Sequence, residues 1–437
     1  MTSEVFHYFL RACLFVSMVL LAGAVGAYVL GAYANGQLLL MAGLTAFAIG
    51  LSSVPALRTL TFTAWIVAAV VTAMFAPQVF QPFEPRSRSY NLLFLVLIQA
   101  VMFGMGTQMR ISDFVGVVRS PLPVAIGLFC QCTIMPLLGF GLAIAFQLPP
   151  EIAAGLVLIG ACSSGLASNV MTYIAGADLA LSITLSAVGT FIAPLVTPFW
   201  MKVLAAPFLA ETDVTISFVE MMVSIVKIVL VPTGAALVHD YLLRASQRGR
   251  MVVWITAIAG AIYASAFVGG SLQTPPGAGI WMELAAWVLS GVAFGLAYHL
   301  AVTATPQLAD AMPAVSMAGI IYVTGMTSAE GRDNLLSVGA VLVMAVALHN
   351  LLGYALGYGM GRLLGMNEQV SRTIALEVGM QNGGMATGIA ADMGKLSTLG
   401  LPAAIFIAWM NVTGSLLANY WRRRPPVVVE TNAGAVV

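Results

Sequence analysis

"ALEVGMQNGGMATGIA", residues Ala375–Ala390, sets a glutamate, a glutamine and an asparagine beside four glycines in a chain nearly free of charge. The 437 residues are 60% hydrophobic and 8% charged, with a mean hydropathy of +0.96. An ordinary soluble domain carries about 25% charged residues. The chain is therefore a polytopic membrane protein, and the quoted stretch falls inside one of its spans. A charged side chain at mid-membrane costs about 2.5–3.5 kcal/mol even on the lenient insertion scale. Glu377 stands six residues after Ser371, or about 9 Å along a helix rising ~1.5 Å per residue. So short a side chain does not reach water from that depth. Glycine inside a helix costs about 1 kcal/mol, so Gly379, Gly383, Gly384 and Gly388 favour a helix that unwinds. Irregular backbone is tolerated at membrane depth only where it is buried in protein or lines a cavity. The stretch therefore predicts a discontinuous helix carrying a polar site.

A bilayer core of about 30 Å needs roughly 20 apolar residues per helix. Fourteen segments meet or approach that length: 7–32, 37–55, 60–80, 91–109, 121–147, 152–175, 178–206, 217–243, 251–271, 281–304, 312–328, 334–364, 371–394 and 400–421. The first run exceeds the 7–15 residues of a signal h-region and reads as a retained span. Alternate loops place Arg58, Arg110, Arg119, Arg244, Arg248, Arg250, Arg362, Arg372 and Arg422–Arg424 on one side, against Arg86, Arg88, Arg332 and Lys395 on the other. The arginine-rich side is expected to be cytoplasmic, with both termini inside. Lys202, Lys227 and Glu220 are read as lying near span ends and snorkelling. A net charge of +1 suggests no nucleic-acid partner. The four cysteines, all in apolar runs, suggest neither a disulfide framework nor a metal site.

The chain also repeats itself. "EIAAGLVLIGACSSGLASNVMTYIAGADLA" (Glu151–Ala180) resembles "EQVSRTIALEVGMQNGGMATGIAADMGKLS" (Glu368–Ser397), and "CTIMPLLGFGLAIAF" (Cys132–Phe146) resembles "ALHNLLGYALGYGMG" (Ala347–Gly361). Phe62–Ala76 more faintly resembles Leu284–Tyr298. Two halves of seven spans each would be inverted relative to one another, an arrangement found in transporters that rock between two states. The first copy of the polar stretch, "CSSGLASNVMTY", carries Ser163, Ser164, Ser168, Asn169 and Thr172. Taken singly, Ser163, Ser164 and Thr172 read as interhelical glue. Glu377, Gln381 and Asn382 together read as an ion or substrate site, because carboxylate, amide and hydroxyl oxygens with free carbonyls are the ligands of a hard cation. Ser182 and Ser186, four apart, share a helix face. His349-Asn350 reads as an interhelical hydrogen-bonding pair, with a proton relay as the other reading.

These motifs resemble the bile acid:sodium symporter family. "ALEVGMQNGGMA" is similar to that family's signature, and "LASNVMTYIAGADLALSITLSAVGTFIAPLVTP", "LFCQCTIMPLLGFGLA" and "MFGMGTQMRISDF" are similar to other helices of it. The resemblance covers roughly 60–243 and 312–421. It implies an all-α inverted-repeat transporter in which a core domain with two crossing discontinuous helices moves against a panel domain. It also implies two bound Na+ ions. Carried over by motif, one ion would be held by Ser168, Asn169, Ser182, Ser186 and Glu377. The other would be held by Gln131, Glu377 and Gln381 with the carbonyls of Val378 and Met380. Asn382 would face the substrate, and one carboxylate among two cations would suit an organic anion. Leu166 and Gly383 depart from the family's pattern next to that face. They leave the cargo open among a bile-acid-like anion, pantoate, another small carboxylate and a keto acid.

The domain plan expected is extra helices in 1–59 extending the panel and a first repeat over 60–210, with core helices in 121–206. Second-repeat panel helices follow over 211–310 with an inserted pair in 244–305, then core helices over 311–421 and a cytoplasmic tail over 422–437. The expected function is sodium-coupled import across a bacterial inner membrane. A proton-coupled or uncoupled carrier of the same form is the first alternative. An intramembrane enzyme is the second, and it lacks a convincing His, Asp or Ser cluster near a membrane face.

Overall fold

The computed structural model describes residues 3–269 and 278–425. The end of the segment expected over 251–271 and most of the tail over 422–437 lie outside them. All fourteen apolar segments become helical. Eleven are continuous helices long and apolar enough to cross a bilayer: α1 (Ser3–Val29), α2 (Tyr33–Leu51), α4 (Arg88–Gly106), α5 (Pro121–Ala145), α8 (Leu179–Leu209), α9 (Phe218–Arg244), α10 (Gln247–Val268), α11 (Gly279–Ala304), α12 (Gln307–Glu330), α13 (Arg332–Leu363) and α16 (Leu401–Arg422). Of the remaining three, α3 (Thr61–Phe75) has 15 residues after a 3-10 turn. The other two are split in the middle, into α6 (Pro150–Ala161) with α7 (Leu166–Ile174), and α14 (Glu368–Gly379) with α15 (Gly383–Asp392).

The split helices match in their punctuation. Their first arms are 12 residues each, about 18 Å at the helical rise, so neither crosses alone. Their second arms both end at a left-handed glycine, Gly176 (φ 63) and Gly394 (φ 66). Past each glycine the chain closes a Schellman turn, with Ala177 N–H donating to Thr172 O and Lys395 N–H to Ala390 O, both a five-residue step.

Around the split pair lie α5, α8, α13 and α16. On one flank of this core stand α3, α4, α9 and α12, with α12 packed on both α3 and α4, and α9 packed on α4. The α1–α2 hairpin leans on α3, and the α10–α11 hairpin leans on α9. An exchange of α4 with α12 therefore carries α3 onto α9. It does not carry α3 onto α11, as the faint likeness of Phe62–Ala76 to Leu284–Tyr298 had suggested. Each extra hairpin extends the same flank from an equivalent place.

Two further local features correct the sequence reading. First, Lys227 is no span-end residue, since it sits ten residues into the 27-residue α9. It occupies a π turn over Val226–Leu230, five residues before Pro232. In that register the partner for the Lys227 carbonyl would be the proline nitrogen, which has no proton. Gln99 of α4 supplies it instead, its Nε2 donating to Lys227 O at 3.3 Å. Second, the unwound segment, residues 380–382, is bordered by Gly379 and Gly383, and Gly383 is already the first residue of α15. Gly383, Gly384 and Gly388 lie within α15 and serve close approach. A Cβ on Gly383 would land on the Ile407 side chain, and one on Gly388 would meet Ile228 at 3.0 Å and Ile98 at 3.2 Å.

Candidate ion and substrate site

The two breaks meet. Cys162 and Gly165 on one side, and Met380 on the other, are extended. The chains pair there as a single antiparallel bridge, Ser164 with Gln381, closed by Asn382 N–H donating to Ser163 O at 2.7 Å. In the ungapped alignment of Glu151–Ala180 with Glu368–Ser397, Ser164 and Gln381 hold the same place. Gly165 and Asn382, the two residues preceding the second arms, also coincide.

Glu377, less than one turn before its break, is 0% exposed. Its Oε1 accepts from Ser182 at 2.5 Å, its Oε2 from Ser186 at 3.1 Å, and Ser164 donates to Oε2 as well. Asn169 Oδ1 lies 2.7 Å from Ser182 Oγ and 3.3 Å from Ser186 Oγ. A serine hydroxyl has one proton to give. The three hydroxyls thus bring three protons to a set of oxygens that also includes both carboxylate atoms and the Asn169 carbonyl. Ser182 faces two of these acceptors and Ser186 three. Among the described residues Glu377 takes part in no ion pair. The centre is rich in lone pairs and short of positive charge, which is the condition a cation relieves.

All five residues expected around the first ion therefore lie together: Ser168, Asn169, Ser182, Ser186 and Glu377. Ser168 is buried close by, 3.5 Å from Ser186 Oγ, but its hydroxyl is given to Gly165 O at 2.7 Å. Ser164 belongs to the cluster, and the sequence reading had set it aside as glue. Its coincidence with Gln381 in the repeat was the signal that marks it.

The second expected set holds two unsatisfied amides. Gln131 is 2% exposed, and neither of its side-chain atoms has a partner. Room for it comes from Gly189 of α8, where a Cβ would stand 3.3 Å from its Oε1. Gln381 gives its Nε2 to Val378 O at 2.7 Å and leaves Oε1 buried and unpaired. Val378 and Met380 are both 0% exposed. Leaving such atoms unpaired costs about 1–3 kcal/mol each, so these three atoms are free to take a ligand.

Asn382 caps α15, its Oδ1 accepting from Met385 N–H at 3.0 Å, while its Nδ2 faces Met102 Sδ at 4.0 Å. It therefore stands at the seam where the core meets α4. Gly383 turns instead toward Ile407 of α16. Leu166 is half-buried at the start of α7 and packs on the core. The breaks are held from outside by Thr197, which the sequence does not single out, and by Asn350, whose bond is the interhelical kind expected of the His349-Asn350 pair. Thr197 donates to Ala161 O at 2.7 Å, and Asn350 to Gly379 O at 2.8 Å. His349 bonds to the Met135 carbonyl at 2.8 Å, across to α5. A 460 Å³ apolar cleft opens between α8 and α9, lined by Phe114, Val188, Phe191, Gly234 and Tyr241 among others.

Comparison with known proteins places these features in a family. The sequence profile of the sodium bile acid symporter family matches residues 94–274. An uncharacterized sodium-dependent transporter, YocS of Bacillus subtilis, is 33% identical over 365 residues, which cover 83% of this chain and 91% of YocS. The probable chloroplastic sodium/metabolite cotransporter BASS1 of Oryza sativa is 27% identical over 369 residues, covering 84% and 74%. The human ileal sodium/bile acid cotransporter is 26% identical over 306 residues, covering 68% and 70%.

Proposed function

The chain belongs to the sodium bile acid symporter family, and on that premise we propose that it imports an organic anion with sodium across a bacterial inner membrane. The observation that carries this reading is the buried Glu377 carboxylate, ringed by hydroxyls and, among the described residues, without a basic partner. One sodium would be held by Glu377, Asn169, Ser182 and Ser186, with Ser164 added to the set and Ser168 beside it. A second would be held by Gln131 and Gln381 with Glu377 and the carbonyls of Val378 and Met380. The orphaned Gln131 atoms and Gln381 Oε1 support that assignment.

Ion binding would fix the two unwound segments, which meet across a single bridge, and so set the geometry of Asn382 at the seam. Movement of the core against the α3, α4, α9 and α12 panel would then expose the site to either side in turn. Three features support this alternating access: the matched split helices, the bridge between repeat-equivalent residues, and the glycine face of α15 against Ile98, Met102 and Ile228. A proton on Glu377 would relieve the same shortage of positive charge, so proton coupling is the competing reading.

Uptake of labelled cholate, pantoate and a keto acid into right-side-out vesicles separates these readings. We expect uptake of at least one of these anions to be driven by an inward sodium gradient at constant pH. Equal uptake in choline buffer, or uptake that follows a pH gradient alone, overturns sodium symport.

A further inference from the structure

On the face away from Arg422–Arg424, a second cavity of 240 Å³ lies between the start of α9 and the end of α15. Its polar lining is dominated by acids, with Asp213, Glu220 and Asp392 joined by Ser217, Ser224 and Lys395. The cations nearby are largely committed. Lys395 Nζ is 2.7 Å from Glu151 Oε1, outside the lining set, and Lys227 Nζ is closer to Glu283 (3.3 Å) than to Asp392 (3.9 Å). Asp213 and Glu220 take part in no ion pair among the described residues.

An acidic rim alone would be only a solvated surface. Ser224 makes it more than that. It is 5% exposed, lines the cavity, and its hydroxyl is buried without a hydrogen-bond partner. A helical serine ordinarily turns its hydroxyl back to a carbonyl one turn earlier, as Thr190 and Thr327 do here at 2.7 and 2.9 Å. Ser224 instead keeps its oxygen for the cavity. Carboxylates at the mouth with a neutral, unpaired hydroxyl oxygen behind them are suited to a small hard cation. The cavity also touches the moving parts, because Ile389 and Asp392 belong to the core while Glu220 and Ser224 belong to the panel. From Asp392 back to the start of α15 is ten residues, or about 15 Å at the helical rise.

We infer that this cavity is a capture site for sodium, distinct from the ion centre at the crossing and feeding it from the arginine-poor face. The inference rests on the sodium-symport reading. A cleft lined by one sign of charge raises the local concentration of its counter-ion, most strongly at low ionic strength. Capture therefore governs how much sodium is needed on that face and leaves the rate at saturating sodium alone.

The test titrates sodium on each face separately, using vesicles of both orientations at constant ionic strength. The variants are the Asp213→Asn/Glu220→Gln double substitution, at exposed positions, and Ser224→Ala. For each we expect the half-saturating sodium on the arginine-poor face to rise about three- to tenfold, by analogy with electrostatic focusing. The saturating rate and the half-saturation on the other face should stay at wild-type values. A half-saturation within twofold of wild type in both variants overturns capture, as does an equal rise on both faces. Direct sodium binding to the wild-type protein in detergent is measured alongside. No binding there sinks the symport reading itself, whereas binding with unchanged variants sinks only the capture site.

Discussion

The two split helices share length, break position and closing turn, yet they do different work. The second is buried along its whole length from Val370 to Ala390 and carries the single charge of the centre. The first is open on its second arm, where Val170 is 53% and Tyr173 71% exposed. It brings only neutral oxygens, from Ser164 and Asn169. At the place of Glu377 the first repeat has Gly160, pressed against the Met135 carbonyl and the His349 ring. A pseudo-symmetric device thus needs only one carboxylate, and it sits in the arm that lipid does not touch. Burial raises the energy of an unpaired charge, and on the proposed sodium reading that same energy becomes affinity when a cation arrives.

Removing the charge gives the largest expected effect. Glu377→Ala should lower sodium-driven uptake by roughly 100-fold or more, as expected when about 3–5 kcal/mol of buried charge pairing is lost. Glu377→Gln should leave the sodium-free protein at least as thermally stable as wild type while abolishing the rise in Tm that sodium confers on it. Ser164→Ala removes a neutral ligand and leaves the backbone bridge in place. It should raise the half-saturating sodium about tenfold, the equivalent of about 1.4 kcal/mol, and spare the maximal rate. Equal losses in the two variants would mean that the helices are not specialised as described.

The division between them explains what the sequence could and could not disclose. Hydropathy set the fourteen segments, since each must cross an apolar slab whatever its neighbours do. Glu377, Gln381 and Asn382 stood out because charge and amides are costly there. Ser164 did not, since a lone serine is common in membrane helices and its meaning comes only from standing 213 residues away from Glu377 and within bonding reach of it. Lys227 was misplaced although the segment expected over 217–243 already puts it mid-span; what hydropathy does not report is the π turn, where Pro232 leaves the Lys227 carbonyl without a donor and Gln99 meets it. The glycines of α15 signalled unwinding by propensity, but they are conformationally ordinary helical residues whose neighbours come too close for a side chain.

That last point gives a second contrast, at one place in the repeat. Gly383→Ala drives a methyl into Ile407 and should destabilise the protein by about 1–3 kcal/mol, read as a fall in Tm in detergent. Ile407→Ala in the same chain should restore part of the loss, a coupling that only contact between the two sites produces. Leu166→Ala, at the equivalent place in the first helix, trims a half-buried side chain and should be milder, about 1 kcal/mol. A Gly383→Ala variant as stable as wild type would show that the seam between α15 and α16 has slack the structure does not suggest.

A last contrast concerns the ends of the first arms, where the two helices are most alike. Each break leaves carbonyls with no helical donor, and each is served by one side chain from a neighbouring helix, Thr197 for Ala161 and Asn350 for Gly379. Asn350 is the more deeply engaged, because its Oδ1 also accepts from Thr413 at 2.6 Å. Thr197→Val keeps the shape and removes one bond, so it should cost about 1 kcal/mol. Asn350→Leu removes two bonds and leaves the Gly379 carbonyl without its donor, so it should cost about 2 kcal/mol. The readout that tests specialisation is sodium affinity. Only the second arm end lies within one turn of Glu377, so Asn350→Leu should shift the sodium half-saturation and Thr197→Val should not. A shift of the same size in both would return the two breaks to equal standing.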